Sequence, residues 1–252
     1  MIIDVRGAAL TYQSDNGEVE ALRDVSFSLA EGELCSIVGP SGCGKSTLLG
    51  AIAGLETLDS GTIVVDGQEV RGPSPKIGLM PQRDQLFEWK TIWDNVLLGL
   101  RVRREDTPQR RAYVAQLLQR YGLEDFAHKR PAQLSGGMRQ RCALIRTLAT
   151  EPRILLLDEP FSALDYQTRL AVSADIHAIL RAEGKTALLV THDIAEAVSM
   201  SDRVVVLSHR PAEVRAIHDM GPLRPLTPMD RRSTDLFHTY FHTIWKELDI
   251  HA

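Results

Sequence analysis

Residues 39–47 read GPSGCGKST, a spacing of glycine, lysine and hydroxyl residues that suits phosphate binding. The apolar run before them (34–38) predicts a buried strand, and a helix-compatible segment begins at Lys45. Such a turn aims backbone N–H groups and the positive end of a helix dipole at one point, and its glycines let the backbone wrap closely around an anion. The pattern G-x4-G-K-[ST] predicts that Lys45 reaches the β- and γ-phosphates of a nucleotide and that Ser46 binds Mg²⁺. The predicted nucleotide-binding residues of this phosphate loop are Gly39, Pro40, Ser41, Gly42, Cys43, Gly44, Lys45, Ser46 and Thr47.

Acidic and imidazole side chains follow two later apolar strands. RILLLDEP (153–160) ends in Asp158 and Glu159, and KTALLVTHD (185–193) ends in His192 and an aspartate. Ligands bind at the carboxyl ends of parallel strands. Asp158 can hold Mg²⁺ through water, Glu159 can polarise a water for attack on a γ-phosphate, and His192 can bond that phosphate. Together with the lysine of the phosphate loop, Glu159 and His192 are the predicted catalytic residues.

Two further positions suit the same ligand. Gln82 follows the short strand KIGLM (76–80), and its neutral amide can bind Mg²⁺ or water, so the predicted metal ligands are Ser46, Gln82 and Asp158. LSGGMRQRCALIRTLAT (134–150) starts with Ser135 at a helix N-cap and two glycines, a second cluster of N–H donors for an anion. Taken singly, each polar residue has a structural alternative, because acids at strand ends cap helices and a lone histidine is commonly a satisfied surface or core residue.

The elements around these residues predict an α/β fold. Apolar strands at 34–38, 153–160, 185–193 and 203–207 alternate with helical stretches, which indicates a mainly parallel sheet covered on both faces. Residues 2–29 predict two or three antiparallel strands around the polar stretch SDNGE. Further expected elements are a hairpin at Asp66-Gly67, helices over 92–121 with a break at Thr107-Pro108, helices over 166–183 and 193–200, and one amphipathic helix starting at Thr227 after the Pro-rich segment 221–228.

Several aromatic and basic positions leave two interpretations open. Tyr12 is either a half-buried strand tyrosine, which spacing alone favours, or a stacking partner for an adenine ring. Phe87, Trp89 and Trp93 are either core residues or an exposed docking patch. The arginines between 101 and 111 are interpreted as a solvated helix face, and the tail helix as packed on its own domain rather than on a partner.

Composition narrows the class of protein. The chain has 252 residues and a net charge of -4, which gives no support for a nucleic-acid partner. Its three cysteines follow no metal or disulfide pattern and fit a reducing cytoplasm. The sequence has neither the pattern of a secretion signal nor an apolar run of the roughly 20 residues that span a bilayer, so a membrane role is expected to come through a partner.

The sequence contains, in this order, GPSGCGKST, Gln82, LSGGMRQ, ILLLDEP, SALD and the histidine of LVTHD. This is the order found in ATP-binding subunits of ABC transporters, and the chain resembles that family over about residues 1–210. The resemblance implies a P-loop NTPase-like domain over 1–220, with a mainly parallel core sheet, an antiparallel β subdomain and a helical subdomain at about 85–150. Residues 221–252 would form a linker and C-terminal helix. It also implies ATP as ligand and Mg²⁺ as cofactor.

The resemblance also implies roles for matching residues. Tyr12 would stack on adenine, which reverses the preference from spacing, and Gln82 would link Mg²⁺ to a membrane subunit. His192 would be the switch histidine, and Asp165 would lie at a dimer interface. The γ-phosphate of ATP held by the opposite copy would be contacted by Ser135, Gly136 and Gly137.

A homodimer also follows from counting anion sites. The phosphate loop and the segment at 134–138 together offer more donors than one triphosphate needs, so a head-to-tail dimer would trap two ATP molecules.

Two segments resemble those of the ATP-binding subunits of nitrate, sulfonate and taurine importers: MPQRDQLFEWKTIWDNVLLGL and the aromatic C-terminal helix. This group implies permease subunits, an indirect link to a solute-binding protein, a coupling-helix docking site at Leu86 to Trp89, and a peripheral place on the cytoplasmic face of the cell membrane.

Two rival classes of ATPase and nucleotide-binding protein differ from the importer subunit in their sequence features. ABC-type ATPases of translation carry two cassettes in one chain, and those of DNA repair have a long coiled coil before LSGG. Here Lys45 and Ser135 are 90 residues apart with no sustained heptads. A P-loop kinase or GTPase would have no use for LSGG at a helix start.

Overall fold

The computed structural model describes residues 1–14 and 17–248. Residues 15 and 16 of the expected polar stretch SDNGE, and residues 249–252 of the tail, lie outside this description. The strands are β1 (Ile3–Ser14), β2 (Gly17–Leu29), β3 (Leu34–Val38), β4 (Ser60–Val65), β5 (Gln68–Glu69), β6 (Ile77–Met80), β7 (Ile154–Asp158), β8 (Thr186–Thr191), β9 (Arg203–Leu207) and β10 (Val214–Asp219). The α-helices are α1 (Lys45–Ala53), α2 (Ile92–Val96), α3 (Leu98–Arg103), α4 (Pro108–Arg120), α5 (Gly136–Leu148), α6 (Tyr166–Ala182), α7 (Ile194–Met200), α8 (Pro228–Arg232) and α9 (Asp235–Glu247).

The chain divides into two compact units. Unit 1 comprises residues 1–74 and 180–252, and unit 2 comprises the intervening residues 75–179. The division expected from the sequence, with a domain over 1–220 and a helical subdomain at about 85–150, stays a prediction.

Unit 1 contains an antiparallel sheet in the order β2-β1-β4-β5. The strands β4 and β5 pair from Val65 to Gln68 across the predicted hairpin. Asp66 and Gly67 have φ angles of 50° and 75°, and two successive positive φ angles are what a two-residue turn matching the strand twist requires. The expected hairpin is therefore confirmed.

The phosphate loop of unit 1 starts from a group of mainly parallel strands. The strand β3 pairs in parallel with both β8 and β9, and β10 adds to β9 in the antiparallel direction. All five residues of β3 and all six of β8 are buried, as expected for strands covered on both faces. The strand β10 was not predicted from the sequence.

The tail of unit 1 differs in part from its prediction. Thr227 caps a helix as expected, since its hydroxyl accepts from the Asp230 N–H, but that helix ends at Arg232. A second N-cap at Thr234 starts α9, so the single helix expected from Thr227 is wrong. Phe237 and Ile244 of α9, and Leu248 directly after it, belong to one buried apolar cluster with side chains of α7 and β9, so the tail helix packs on its own unit.

Unit 2 pairs β6 with β7 in parallel; α5 packs on β6, and α2, α3 and α4 pack on α5. The break at Thr107-Pro108 is confirmed, because the Thr107 hydroxyl accepts from the Arg110 N–H at the start of α4. The solvated face around it carries ion pairs that link Asp106 to Arg101 and Arg111.

The aromatic stretch of unit 2 is partly exposed. Leu86 is buried, whereas Trp89 is 70% exposed and stacks on the Phe87 ring with a centroid distance of 4.9 Å. Trp93 is half-buried. Within the described part of the chain, no helix combines the length and the apolar character needed to cross a membrane.

Candidate nucleotide-binding site

The phosphate loop connects the buried strand β3 to α1. Gly42 and Gly44 have φ angles of 73° and 127°, in the region that side chains disfavour. A Cβ on Gly44 would lie 2.7 Å from the Ala21 carbonyl oxygen, and a Cβ on Gly39 would lie 2.9 Å from the Cys43 sulfur. Gly44, the N-cap of α1, has no side chain to make a capping hydrogen bond. The loop thus combines tight backbone curvature with a helix N-terminus suited to an anion.

Lys45 is the charged group of this loop, and only 5% of its surface is exposed. Its Nζ donates to the carbonyl oxygens of Gly39 and Pro40, each at 2.8 Å. These two bonds hold the ammonium over the loop's own backbone. An ammonium has three N–H donors, so a third remains for another acceptor.

Cys43 faces the inside of the same loop. The residue is 1% exposed, and burial raises the pKa of its thiol, while the positive charge of Lys45 acts in the opposite direction. The neutral thiol is therefore the form that this environment favours.

Tyr12 and His192 lie beside the loop in unit 1. Tyr12 is 38% exposed, and its hydroxyl donates to Thr47 Oγ1 at 3.3 Å across from β1 to α1. His192 follows Thr191, which pairs with Val38, the residue that precedes Gly39. The exposed His192 and Gly39, the first residue of the phosphate loop, therefore each directly follow one of two paired residues on neighbouring strands.

In unit 2 the structure brings Gln82 and Glu159 together. Met80 pairs with Leu157 at the carboxyl ends of β6 and β7. The Gln82 Nε2 donates to Glu159 Oε2 at 3.2 Å. The half-buried Asp158 ends β7, and Glu159 has a φ of 43°, which is uncommon for a residue with a side chain.

The segment LSGGMRQ (134–140, the signature segment) has the predicted local structure. The Ser135 hydroxyl accepts from the Met138 N–H at 3.3 Å and caps α5. A Cβ on Gly137 would lie 2.6 Å from a methyl of Val172, so α5 and α6 need this glycine for their close approach. Asp165 accepts from the Thr168 N–H at 3.1 Å, and the hydrogen bonds from Thr168 lower the pKa of its carboxyl.

A polar link between α5 and the chain shortly after Gln82 was not predicted. Arg139 Nε donates to the carboxylate of Asp84 at 3.0 Å, and Arg146 donates to the carbonyl oxygens of Asp84 and Gln85 at 2.7 and 2.8 Å. Both arginines lie on α5, so this helix holds the chain directly after Gln82. The sequence contains no spacing signal for these pairs.

Comparison with known proteins agrees with this geometry. The chain belongs to the ABC transporter family, whose profile matches residues 22–162. It is 46% identical over 95% of its length to an uncharacterised ABC transporter ATP-binding protein of Bacillus subtilis, of which it covers 92%. It is 44% identical over 84% of its length to a taurine import ATP-binding protein of Yersinia pestis (82% of that chain). It is 38% identical over 94% of its length to a nitrate transport protein of Klebsiella oxytoca (92% of that chain).

A solved relative shows the same fold. An ATP-binding cassette, solved as a dimer in a post-hydrolysis state with ADP and inorganic phosphate, is 31% identical to this chain and superimposes with a TM-score of 0.73. The match covers 86% of this chain and 98% of that cassette.

These findings confirm the predicted fold class, ATP binding and ATPase activity, and the resemblance to the importer group. The protein is the ATP-binding subunit of an importer, and the alternative of a non-transport ATPase is not supported.

Proposed function

We propose that this protein hydrolyses MgATP as a homodimer to drive uptake of a small anionic or zwitterionic solute, such as taurine, another sulfonate or nitrate. The observation that carries the proposal is the phosphate loop: three glycines with tight local geometry and a buried lysine at an uncapped helix start. The names of the taurine and nitrate relatives support the solute class.

The proposed ATP contacts follow from this loop. The third donor of Lys45 and the backbone N–H groups at the start of α1 are suited to the β- and γ-phosphates. Tyr12, held by Thr47 beside α1, is exposed enough to stack on adenine. The exposed His192 leaves its strand level with the loop and is suited to sense the γ-phosphate.

Mg²⁺ is the proposed cofactor, and the residues proposed to hold it are Ser46, Gln82 and Asp158. A hydroxyl, an amide oxygen and a carboxylate form the all-oxygen donor set that this hard cation prefers. When bound, it would neutralise charge that develops on the phosphates.

Glu159 is the proposed general base. Its bond from Gln82 orients one carboxylate oxygen, and general-base assistance contributes roughly 10²- to 10⁴-fold to a rate. A second copy would supply Ser135, Gly136 and Gly137 to the γ-phosphate, with Asp165 near the interface. Solved relatives that are dimers support this arrangement.

Permease subunits are the proposed membrane partners, and the stacked Phe87 and Trp89 are the proposed place where they dock. An exposed Trp89 ring stacked on the half-buried Phe87 ring is typical of an interaction site. The protein would then lie on the cytoplasmic face of the cell membrane through these partners and contact the solute-binding protein only indirectly.

Glu159→Gln tests the proposed chemistry. The variant should bind ATP as tightly as the unmodified protein, lose at least about 100-fold in hydrolysis, and form a stable dimer with MgATP in light scattering. Full activity of the variant would remove Glu159 from the role of base. A monomer at saturating MgATP would refute the dimer arrangement.

The solute class is tested by genetics. A strain without this protein should fail to grow on the transported compound as its only source of sulfur or nitrogen, and plasmid-borne protein, but not a Lys45→Ala variant, should restore growth. Unchanged growth on taurine, other sulfonates and nitrate would overturn the proposed solute class.

A further inference from the structure

The segment between β9 and β10 contacts each glycine of the phosphate loop. We call Leu207–Ala212 the buttress turn. A Cβ on Gly39 would lie 3.3 Å from Leu207 Cβ, and a Cβ on Gly44 would lie 3.4 Å from Ala212 Cβ. Between these contacts, Arg210 Nη2 lies 3.5 Å from the position that a Cβ would take on Gly42. One short segment thus follows the whole curve of the loop.

Hydrogen bonds fix the buttress turn to β2 and close it on itself. The Ala212 N–H donates to the Ala21 carbonyl at 2.9 Å, and the Ala212 carbonyl accepts from the Arg23 N–H at 3.0 Å. The Ser208 hydroxyl donates to the Pro211 carbonyl at 3.0 Å and accepts from the Glu213 N–H at 2.9 Å. The turn is therefore a defined support rather than a loose connection.

Arg210 carries this support into the phosphate loop. Its Nε donates to the Gly42 carbonyl oxygen at 3.2 Å. The Gly42 carbonyl and the Cys43 N–H belong to one planar peptide unit, so fixing one of them orients the other. The Cys43 N–H in turn donates to the Pro40 carbonyl at 3.3 Å. The peptide is thus held from both ends, by Arg210 outside the loop and by Pro40 inside it.

We infer that Arg210 is a positioning residue for nucleotide binding: it holds the Gly42–Cys43 peptide in the orientation that keeps the loop's curve. This inference rests on the proposed function of the phosphate loop. Arg210 acts through the loop backbone, and its positive charge beside the loop also favours a bound triphosphate. Its loss is expected to weaken ATP binding more than turnover, because the proposed catalytic groups are unchanged.

The test compares Arg210→Met, Arg210→Lys and a matched control, Arg71→Met, which removes an exposed arginine of the same unit whose guanidinium pairs with Glu69. Arg210→Met should raise the KM for ATP about three- to tenfold with kcat within about twofold, as expected for the loss of a charge-assisted hydrogen bond at an exposed site. Arg210→Lys should recover most of this loss, because an ammonium can also donate to the Gly42 carbonyl. The nucleotide-free melting temperature of both Arg210 variants should match that of the control.

An unchanged KM in Arg210→Met would overturn the inference. A melting temperature that falls in Arg210→Met as its KM rises, and that Arg210→Lys does not restore, would also overturn the inference. A residue that only stabilises the fold behaves in this way. If the unmodified protein does not hydrolyse ATP, the proposed function fails instead. The dissociation constant for ATP from calorimetry then replaces KM, with the same expected ratios between variants.

Discussion

The three glycines of the phosphate loop are required for different physical reasons. Gly42 and Gly44 adopt positive φ angles, whereas a Cβ on Gly39 would collide with the Cys43 sulfur. Lys45 folds back on the carbonyls of Gly39 and Pro40. Gly39, Pro40, Cys43 and Lys45 thus constrain one another within the loop, so a change at one of them is expected to affect the others.

Cys43 gives a prediction on pH. Native protein treated with iodoacetamide should be modified at Cys43 far more slowly at pH 7 than urea-unfolded protein, because the thiol is buried and its pKa is raised. The thiolate is the reactive form, so the rate should rise as the pH is increased past 9, the ordinary thiol value. Peptide mass spectrometry measures the extent of modification. Bound ATP should slow the reaction further, and complete modification within minutes at pH 7 would contradict the buried geometry.

The residues of the phosphate loop could be chosen from the sequence because their chemistry is local. A strand, a Gly-rich turn and a helix start lie within about twenty consecutive residues. Arg210 could not be found in this way. It meets Gly42 across 168 positions of sequence, and its exposed guanidinium has no pattern that separates it from other surface arginines.

At the scale of elements, the tail of unit 1 depends on Arg231. This side chain has no exposed surface, and its guanidinium donates to the carbonyls of Ser201 at 2.6 Å and Leu226 at 3.2 Å. Burial lowers the pKa of Arg231 to about 10, although the carboxylate of Asp202 favours its charge. One cation therefore connects the end of α7 with the turn before α8.

Replacing this cation should destabilise the protein. Arg231→Met leaves buried carbonyl oxygens without their donor, so we expect a loss of about 3 kcal/mol in the free energy of unfolding. Urea unfolding followed by circular dichroism measures it, with Arg6→Met at an exposed ion pair as control. A loss no larger than that of the control would show that Arg231 does not hold the tail.

Strongly periodic elements were predictable, and the exceptions have physical causes. The strand β10 was not predicted because its apolar and polar residues do not match its buried and exposed faces. Ile217 is 41% exposed, while the polar His218 is turned inward, with its Nε2 2.6 Å from Glu247 Oε2. The tail helix was expected to be continuous because apolar residues recur at helical spacing. The second cap at Thr234 lies inside that pattern, and periodicity alone does not distinguish a cap from an exposed helix position.

At the scale of the whole molecule, the tail is an integral part of unit 1. Phe237, Ile244 and Leu248 cover apolar side chains of α7 and β9. Burying three such residues contributes about 5–9 kcal/mol, which is comparable to the total stability of a typical domain.

Deleting α9 should therefore unfold unit 1. A chain ending at Thr234 is expected to lose its cooperative thermal transition and to aggregate, as followed by calorimetry and light scattering. As control, full-length Trp245→Ser changes a side chain of α9 that is 39% exposed and should stay folded. If the truncated protein kept the melting temperature of the full-length protein, the apolar side chains of α7 and β9 would not need α9 to stabilise unit 1, contrary to this prediction.

The order of the two units along the chain also bears on how the protein is made. Unit 2 is one continuous stretch, so it is complete once residue 179 has left the ribosome. Unit 1 is not, because β3 pairs with β8 and β9, which are synthesised about 150 residues later. Residues 39–47 and the strand that anchors them therefore leave the ribosome well before that strand's two neighbours are synthesised. During elongation that strand remains an exposed apolar segment of the kind that chaperones bind.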